Sequence, residues 1–327
     1  MTVAFQNTRP TIDLAPTLAV LRRGRSRSDV VRQHTLKTSI RCAGIGLHSG
    51  ARVEMTLKPA DEGAGIVFRR TDQTGRVVDI KAIWRNVVDT RMCTRLGLAD
   101  GPSIATVEHL MAALAGAEID NAIVEVDGPE VPVMDGSAAP FLFMIECVGV
   151  VEQSAPRRAI KILGEVEAGT PERFARLSPS SAQTVSFDID FDSKVIGRQQ
   201  GEIKLSGASF KAEVSRARTF GFLQDFDQLR AAGLARGGSL DNAVVVSADG
   251  VMNDGGLRYD DEFVRHKMLD AIGDLYLAGA PVIGRFHGHR SGHHLHHAVL
   301  TRLFSDITWW RWVDMPAAAE ERLAATA

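Results

Sequence analysis

The chain has 327 residues, a formal net charge of -2 and a hydrophobic fraction of 45%. That length accommodates two domains with a sizeable core, and a near-neutral balance without a basic stripe interleaved with aromatics argues against a nucleic-acid partner. Cys42, Cys93 and Cys147 are widely separated and form no Cys-x-x-Cys pair, so they read as reduced, small buried residues of a cytosolic protein rather than disulfides or thiolate ligands.

In chain order, residues 1–33 read as a disordered, basic extension, because the arginines of "VLRRGRSRS" follow a short apolar stretch, the reverse of a secretory signal. No apolar run reaches the roughly 18 residues needed to cross a bilayer. Alternating runs at 51–59 and 65–70 read as strands. The glycine-rich "GIGLHSG" (44–50) leads into a strand, which makes it a turn and not a phosphate loop. In "SIATVEHLMAALAGAEIDNAIVEVDG" (103–128), Thr106 is expected to cap a helix that Gly116 ends, with Glu108 and His109 in its first turn and a strand at "NAIVEV". A second helix is expected at about 139–149.

The polar, proline-containing "EQSAPRR" (152–158) marks a boundary between domains at 34–154 and 155–312, with 313–327 as a tail. The second half opens with strands in "RAIKILGEVEAG", "FARLSPS", "TVSFDIDFD" and "GEIKLS". Helices are expected near 222–233 and 261–279, and a strand near 281–287. Antiparallel-looking strands with a few helices in both halves indicate an α+β fold.

Candidate chemistry concentrates in "FVRHKMLDAIGDL" (263–275). His266, Asp270 and Asp274 fall within roughly 80° on a helix that is otherwise apolar, so the helix is buried and its carboxylates need partners. A metal ion is one partner; Arg265, Lys267 or a distant arginine is another, and the segment taken alone favours ion pairing. Six of the ten histidines lie in "FHGHRSGHHLHH" (286–297), a tract that binds metal by composition alone. A zinc hydrolase needs two or three protein ligands, a base for water and an acid for the leaving group. His109, His266 and Asp270 could form the ligand set, Glu108 the base, and a tract histidine oriented by Asp274 the acid.

The segments "TVEHLMAALAGAEIDNAIVEVDGPEVPVMDGSAAPF" (106–141), "SRARTFGF" (215–222), "DEFVRHKMLDAIGDLYLAG" (261–279) and "RSGH" (290–293) closely resemble the UDP-3-O-acyl-N-acetylglucosamine deacetylase family, zinc amidases of lipid A biosynthesis. The resemblance extends from about Thr35 to about Ala298. It implies one catalytic zinc on His109, His266 and Asp270, Glu108 as general base, and His293 as general acid or electrostatic partner beside Asp274. It further implies Thr219 as oxyanion stabiliser, with Lys267 and Phe220 at the substrate.

The implied fold is a pair of α+β domains whose helices pack face to face between outer sheets. An inserted strand-helix unit, expected at about 209–245 and carrying Phe222, Phe226, Leu229 and Leu234, would form an apolar passage for the acyl chain. The implied reaction is removal of the N-acetyl group from UDP-3-O-acyl-N-acetylglucosamine, the committed step of lipid A biosynthesis. A cytoplasmic monomer that visits the inner membrane surface would carry it out.

Two features depart from the family pattern: the extension, and the histidines at 287, 289, 294, 296 and 297, which are candidates for a second, inhibitory zinc. Competing readings are an amidase for another N-acetylated sugar nucleotide and a metal-storing protein built on the histidine tract.

Overall fold

The computed structural model describes residues 30–71, 75–98 and 101–315. Most of the expected extension and of the C-terminal tail lies outside the described residues. At the two limits, Arg32 and Gln33 open the strand Arg32–Leu36, while Val313 and Asp314 close the strand Trp310–Asp314.

Among the described residues, six α-helices punctuate the strands: α1 Glu108–Gly116, α2 Ala139–Val148, α3 Gly207–Ser209, α4 Phe226–Ala231, α5 Glu262–Tyr276 and α6 His293–Leu303. In the first half a five-stranded sheet runs in the order Ile40–Ile45, Arg52–Pro59, Ala122–Val126, Ile66–Thr71, Val77–Lys81. Its pairs are antiparallel except Ile66–Thr71 with Ala122–Val126. Alternation sets the inner face, as in Arg52–Pro59, where Val53, Met55 and Leu57 are fully buried.

A seven-stranded sheet forms the second half around the strand Val282–His289. That strand pairs antiparallel with Arg173–Ser178 and in parallel with Gln183–Asp190 and with Arg158–Ile162. The fold is therefore mixed α+β, with mainly antiparallel sheets.

The two halves meet through helices. α1 packs on α5, with α2 beside α1 and α6 beside α5, and the large sheets lie outside. Both central helices are apolar over most of their circumference: all of α1 except Ala115 is buried, and on α5 only Arg265 and Lys267 reach partial exposure. Their approach is unusually close at one point. A Cβ on Gly273 would lie 2.0 Å from the Glu108 carbonyl oxygen, so only glycine lets the α5 backbone reach the first turn of α1.

Three local expectations are corrected. Thr106 does not cap α1; it sits at φ 56°, and its hydroxyl donates to Glu130 Oε1 at 2.7 Å. The buried Glu130 carboxylate also accepts from the His48 and Ser49 amides, both at 2.9 Å, and so ties the 44–50 turn to the entrance of α1. The helix expected at 222–233 shortens to a 3₁₀ turn, Leu223–Asp225, followed by α4. It connects Phe220–Phe222 to Val244–Val246, which pair in parallel as a small βαβ unit. Of the cysteines only Cys93 is buried; Cys42 is half-buried and Cys147 is exposed, because it falls on the outer side of α2.

Substituting Gly273→Ala is expected to destabilise the protein by about 1–3 kcal/mol through overpacking of the helix crossing. Urea unfolding checks this, with a lowered midpoint as the expected result.

Candidate active site

The first turn of α1 presents Glu108 and His109, α5 presents His266, Asp270 and Asp274, and the first turn of α6 presents His293 and His296. All but His293 are buried, and its side chain is only 10% exposed. The His266 Nδ1–H donates to the Ala217 carbonyl at 3.1 Å, which leaves Nε2 unprotonated and directed at Asp270 Oδ1, 3.3 Å away. Burial pushes the His266 imidazolium down to about 3, so the ring is neutral. His109 Nε2 stands 3.6 Å from the same oxygen.

Asp270 Oδ2 is satisfied by Lys267 Nζ at 2.7 Å, but Oδ1 is buried without a hydrogen-bond partner, as is His109 Nδ1. Burial opposes the Asp270 charge, yet the Lys267 ammonium on its other oxygen holds its carboxyl well below the usual carboxylate range. Lone pairs on His266 Nε2 and Asp270 Oδ1 repel at this distance unless a cation lies between them. Tetrahedral zinc ligation spaces nitrogen and oxygen donors by about 3.4 Å, so the donor set and its spacing fit a zinc ion.

Asp274 is a different kind of centre. Its Oδ1 accepts from the Thr94 hydroxyl at 2.6 Å, and its Oδ2 accepts from His293 Nδ1 at 2.7 Å and His296 Nδ1 at 2.8 Å. These are hydrogen-bond lengths, so the group is closed by protons. Burial works against the Asp274 charge, but His293 and His296 hold its carboxyl far below the normal range. For His293, burial alone would lower the imidazolium; Asp274, with Glu108 behind it, raises it to about 9.

Glu108 moves upward for the opposite reason. Burial pushes its carboxyl up to about 7, against the pull of His293 and His109. One of its oxygens accepts from the Thr94 amide at 3.0 Å, and the other lies 3.9 Å from His293 Nε2.

A cavity of about 240 Å³ opens beside these groups. Glu108, His109, His266, Lys267, Asp270, His293 and Thr219 border it on one side, and Leu47, Phe191, Phe220, Phe226 and Leu229 extend it as an apolar slot. Phe220 packs edge-on against Phe263 and Phe191 at 5.0 and 5.6 Å, which steadies it at the slot entrance.

Sequence reasoning missed three members of the site. Thr94 carries no local signal and is brought in by the strand Arg95–Gly97. His48, within a segment read only as a turn, borders the cavity with a buried, unpartnered Nε2. His296, a candidate second-zinc ligand in the tract, instead has its Nδ1 committed to Asp274, and its Nε2 lies 3.2 Å from Ser291 Oγ. The other tract residues do not form one site: His297 Nε2 contacts the Trp84 carbonyl, whereas His287 and His289 both face Asp188.

Because the raised His293 group binds its proton more tightly in the folded state, its stabilisation is full below about pH 6.5 and is lost as pH rises through about 9. Metal-free protein is expected to lose stability across that window, and Asp274→Asn to flatten the loss. Urea titrations at several pH values compare the two.

Comparison with known proteins gives a consistent picture. Residues 33–305 match the model of the family described as UDP-3-O-acyl N-acetylglycosamine deacetylase (LpxC). A UDP-3-O-acyl-N-acetylglucosamine deacetylase of Acidithiobacillus ferrooxidans is 51% identical over 288 residues, covering 87% of this chain and 94% of that protein. Proteins of the same name from Hahella chejuensis and Stenotrophomonas maltophilia are 50% and 48% identical, each covering 89% of this chain and 96% and 97% of their own.

Proposed function

The chain belongs to the UDP-3-O-acyl N-acetylglycosamine deacetylase family, and from that membership and the site we propose that it hydrolyses the N-acetyl group of UDP-3-O-acyl-N-acetylglucosamine, releasing acetate, in lipid A biosynthesis. We further propose that His109, His266 and Asp270 hold one zinc ion. The observation that supports this most directly is the buried, unpartnered Asp270 Oδ1 facing the bare His266 Nε2 at 3.3 Å. A zinc ion bound there supplies Lewis-acid polarisation of the acetamide carbonyl and of water.

The chain's own groups supply the rest. Glu108, with its carboxyl raised by burial, takes a proton from the attacking water. The Thr219 hydroxyl donates to the oxyanion that forms on the carbonyl. His293, kept as imidazolium by Asp274, gives the Nε2 proton to the nitrogen, so the C–N bond breaks with a neutral amine leaving. Lys267 neutralises Asp270 and reaches toward the substrate, and Phe220 packs beside it.

The apolar slot past Phe220 accepts the 3-O-acyl chain, which supports an acylated substrate over a bare sugar nucleotide. We place the protein as a cytoplasmic monomer that meets this amphiphile at the inner membrane surface. No helix among the described residues is long and apolar enough to cross a membrane.

The decisive experiment is deacetylation of UDP-3-O-acyl-N-acetylglucosamine by chelator-stripped protein before and after addition of one zinc equivalent; failure to regain activity with zinc bound would sink the proposal. Glu108→Gln should keep the zinc and lose roughly 10²–10⁴-fold in kcat. His266→Ala should lose the zinc itself, read by metal analysis.

In the pH profile, the alkaline limb is expected at or below about pH 9, and Asp274→Asn should shift it toward neutrality, since it is the carboxylate that raises His293. A limb unmoved by that substitution would remove His293 from the acid role.

A further inference from the structure

We infer that Asp188, His287 and His289 form a second divalent-metal site on the outer face of the seven-stranded sheet, separate from the catalytic cluster. The sheet register builds it. Asp188 pairs with His289 across the parallel strands, His287 lies two residues earlier on the same face, and Ser186 pairs with His287. The alternating neighbours Phe187 and Phe286 are buried in the core, which leaves Asp188, His287 and His289 on the opposite face. Phe174 on the antiparallel neighbour stacks on both imidazoles, at 5.4 Å each, and fixes their planes.

The donor atoms converge on one carboxylate oxygen, close enough together to ligate a single ion. His287 Nε2 is 3.2 Å and His289 Nδ1 3.5 Å from the same oxygen, Asp188 Oδ2. Tetrahedral donors around zinc lie about 3.4 Å apart. By contrast the closed Asp274 group holds its histidines at 2.7 and 2.8 Å.

Ser186 contacts the other ring nitrogen of His287. Its hydroxyl donates to the Phe286 carbonyl at 3.1 Å and, having only one proton, accepts from His287 Nδ1 at 3.1 Å. That leaves a lone pair on His287 Nε2 aimed at a carboxylate, an arrangement that a cation between them relieves.

The neighbouring cations have carboxylates of their own: Arg176 is held by Glu167 at 2.5 Å and Arg285 by Glu202 at 2.6 Å. Asp188 thus remains for the two imidazoles. The three side chains are 20–29% exposed, so water can complete the coordination shell. Two imidazoles and one carboxylate suit zinc, nickel or copper rather than calcium or magnesium. The bound ion would clamp two strand ends just before the link into α6, where His293 begins the helix.

The test is calorimetric titration of Zn²⁺ into protein already carrying zinc in the catalytic cluster, with metal counted after dialysis. The wild type is expected to take a second equivalent. Asp188→Asn and, separately, His287→Gln should lose it or weaken it by roughly tenfold or more while keeping the first. His266→Ala should lose the first and keep the second, which separates failure of this site from failure of the catalytic one.

A wild type that holds one equivalent only, or an Asp188→Asn protein that titrates like the wild type, would overturn the inference. In the former case the Ser186 hydroxyl turns to His287 Nδ1 and the Nε2–H simply bonds Asp188. Both substitutions lie on a partly exposed sheet face, and His287→Gln serves if Asp188→Asn does not fold.

Discussion

The contact between Gly273 and the backbone of Glu108 joins two halves of the chain at the point where both carry their charged residues. α1 contributes Glu108 and His109, α5 contributes His266, Asp270 and Asp274, and neither helix could bury its polar groups without the other. An isolated buried carboxylate costs several kcal/mol or loses its charge. The interface therefore has to assemble as a unit, which explains why a helix so apolar tolerates this stripe. Arg218 and Glu262 repeat the principle at the start of α5, where a fully buried carboxylate is matched by a guanidinium at 2.8 Å and by backbone amides.

Within the cluster, two groups a few ångströms apart are both raised, for opposite reasons, so that burial favours the neutral carboxyl while an ion pair favours the charged imidazolium. Burial dominates at Glu108 and raises its carboxyl, while the ion pair with Asp274 dominates at His293 and keeps its ring protonated. Such a separation is what acid-base chemistry at neutral pH requires of neighbouring residues. Thr94 links the pair from behind, its amide on Glu108 and its hydroxyl on Asp274, so one residue orients both arms.

Distances sort the histidine-carboxylate groups into two kinds. Around Asp274, contacts of 2.7 and 2.8 Å are proton-mediated and rigidify a positioning carboxylate. Around Asp270, separations of 3.3 and 3.6 Å set His266 and His109 at the spacing of ligands to one ion, and the shared oxygen is buried without a hydrogen-bond partner. The same residue types thus do different work according to whether a proton or an ion fits between them. The βαβ unit from Phe220 to Val246 adds the apolar side of the cavity, so the polar cluster opens onto a slot suited to hydrocarbon.

Much of this was legible before folding was considered. The alternation in Arg52–Pro59, the alanine-rich α1 ending at Gly116 and the four-residue stripe on α5 follow from periods of 2 and 3.6, which are local properties of the chain. Residues 108, 109, 266, 270, 274 and 293 could be singled out because chemistry and motif order mark them. Thr106 misled because a serine or threonine before a helix usually caps it, whereas here Glu130, distant in sequence, claims its hydroxyl.

Thr94, His48 and the Asp274 partnership of His296 could not be read from spacing, since each depends on a contact between elements far apart in the chain. The division of the histidine tract has the same origin. Strand alternation sends His287 and His289 to the outer face, and the helix that follows turns His293 and His296 inward. The sequence by itself determined which residues could carry charge on which periodic face. Tertiary packing alone decided which of those faces met, because hydrogen bonds and ligand spacings act over about 3 Å and the chain must fold to bring distant residues that close.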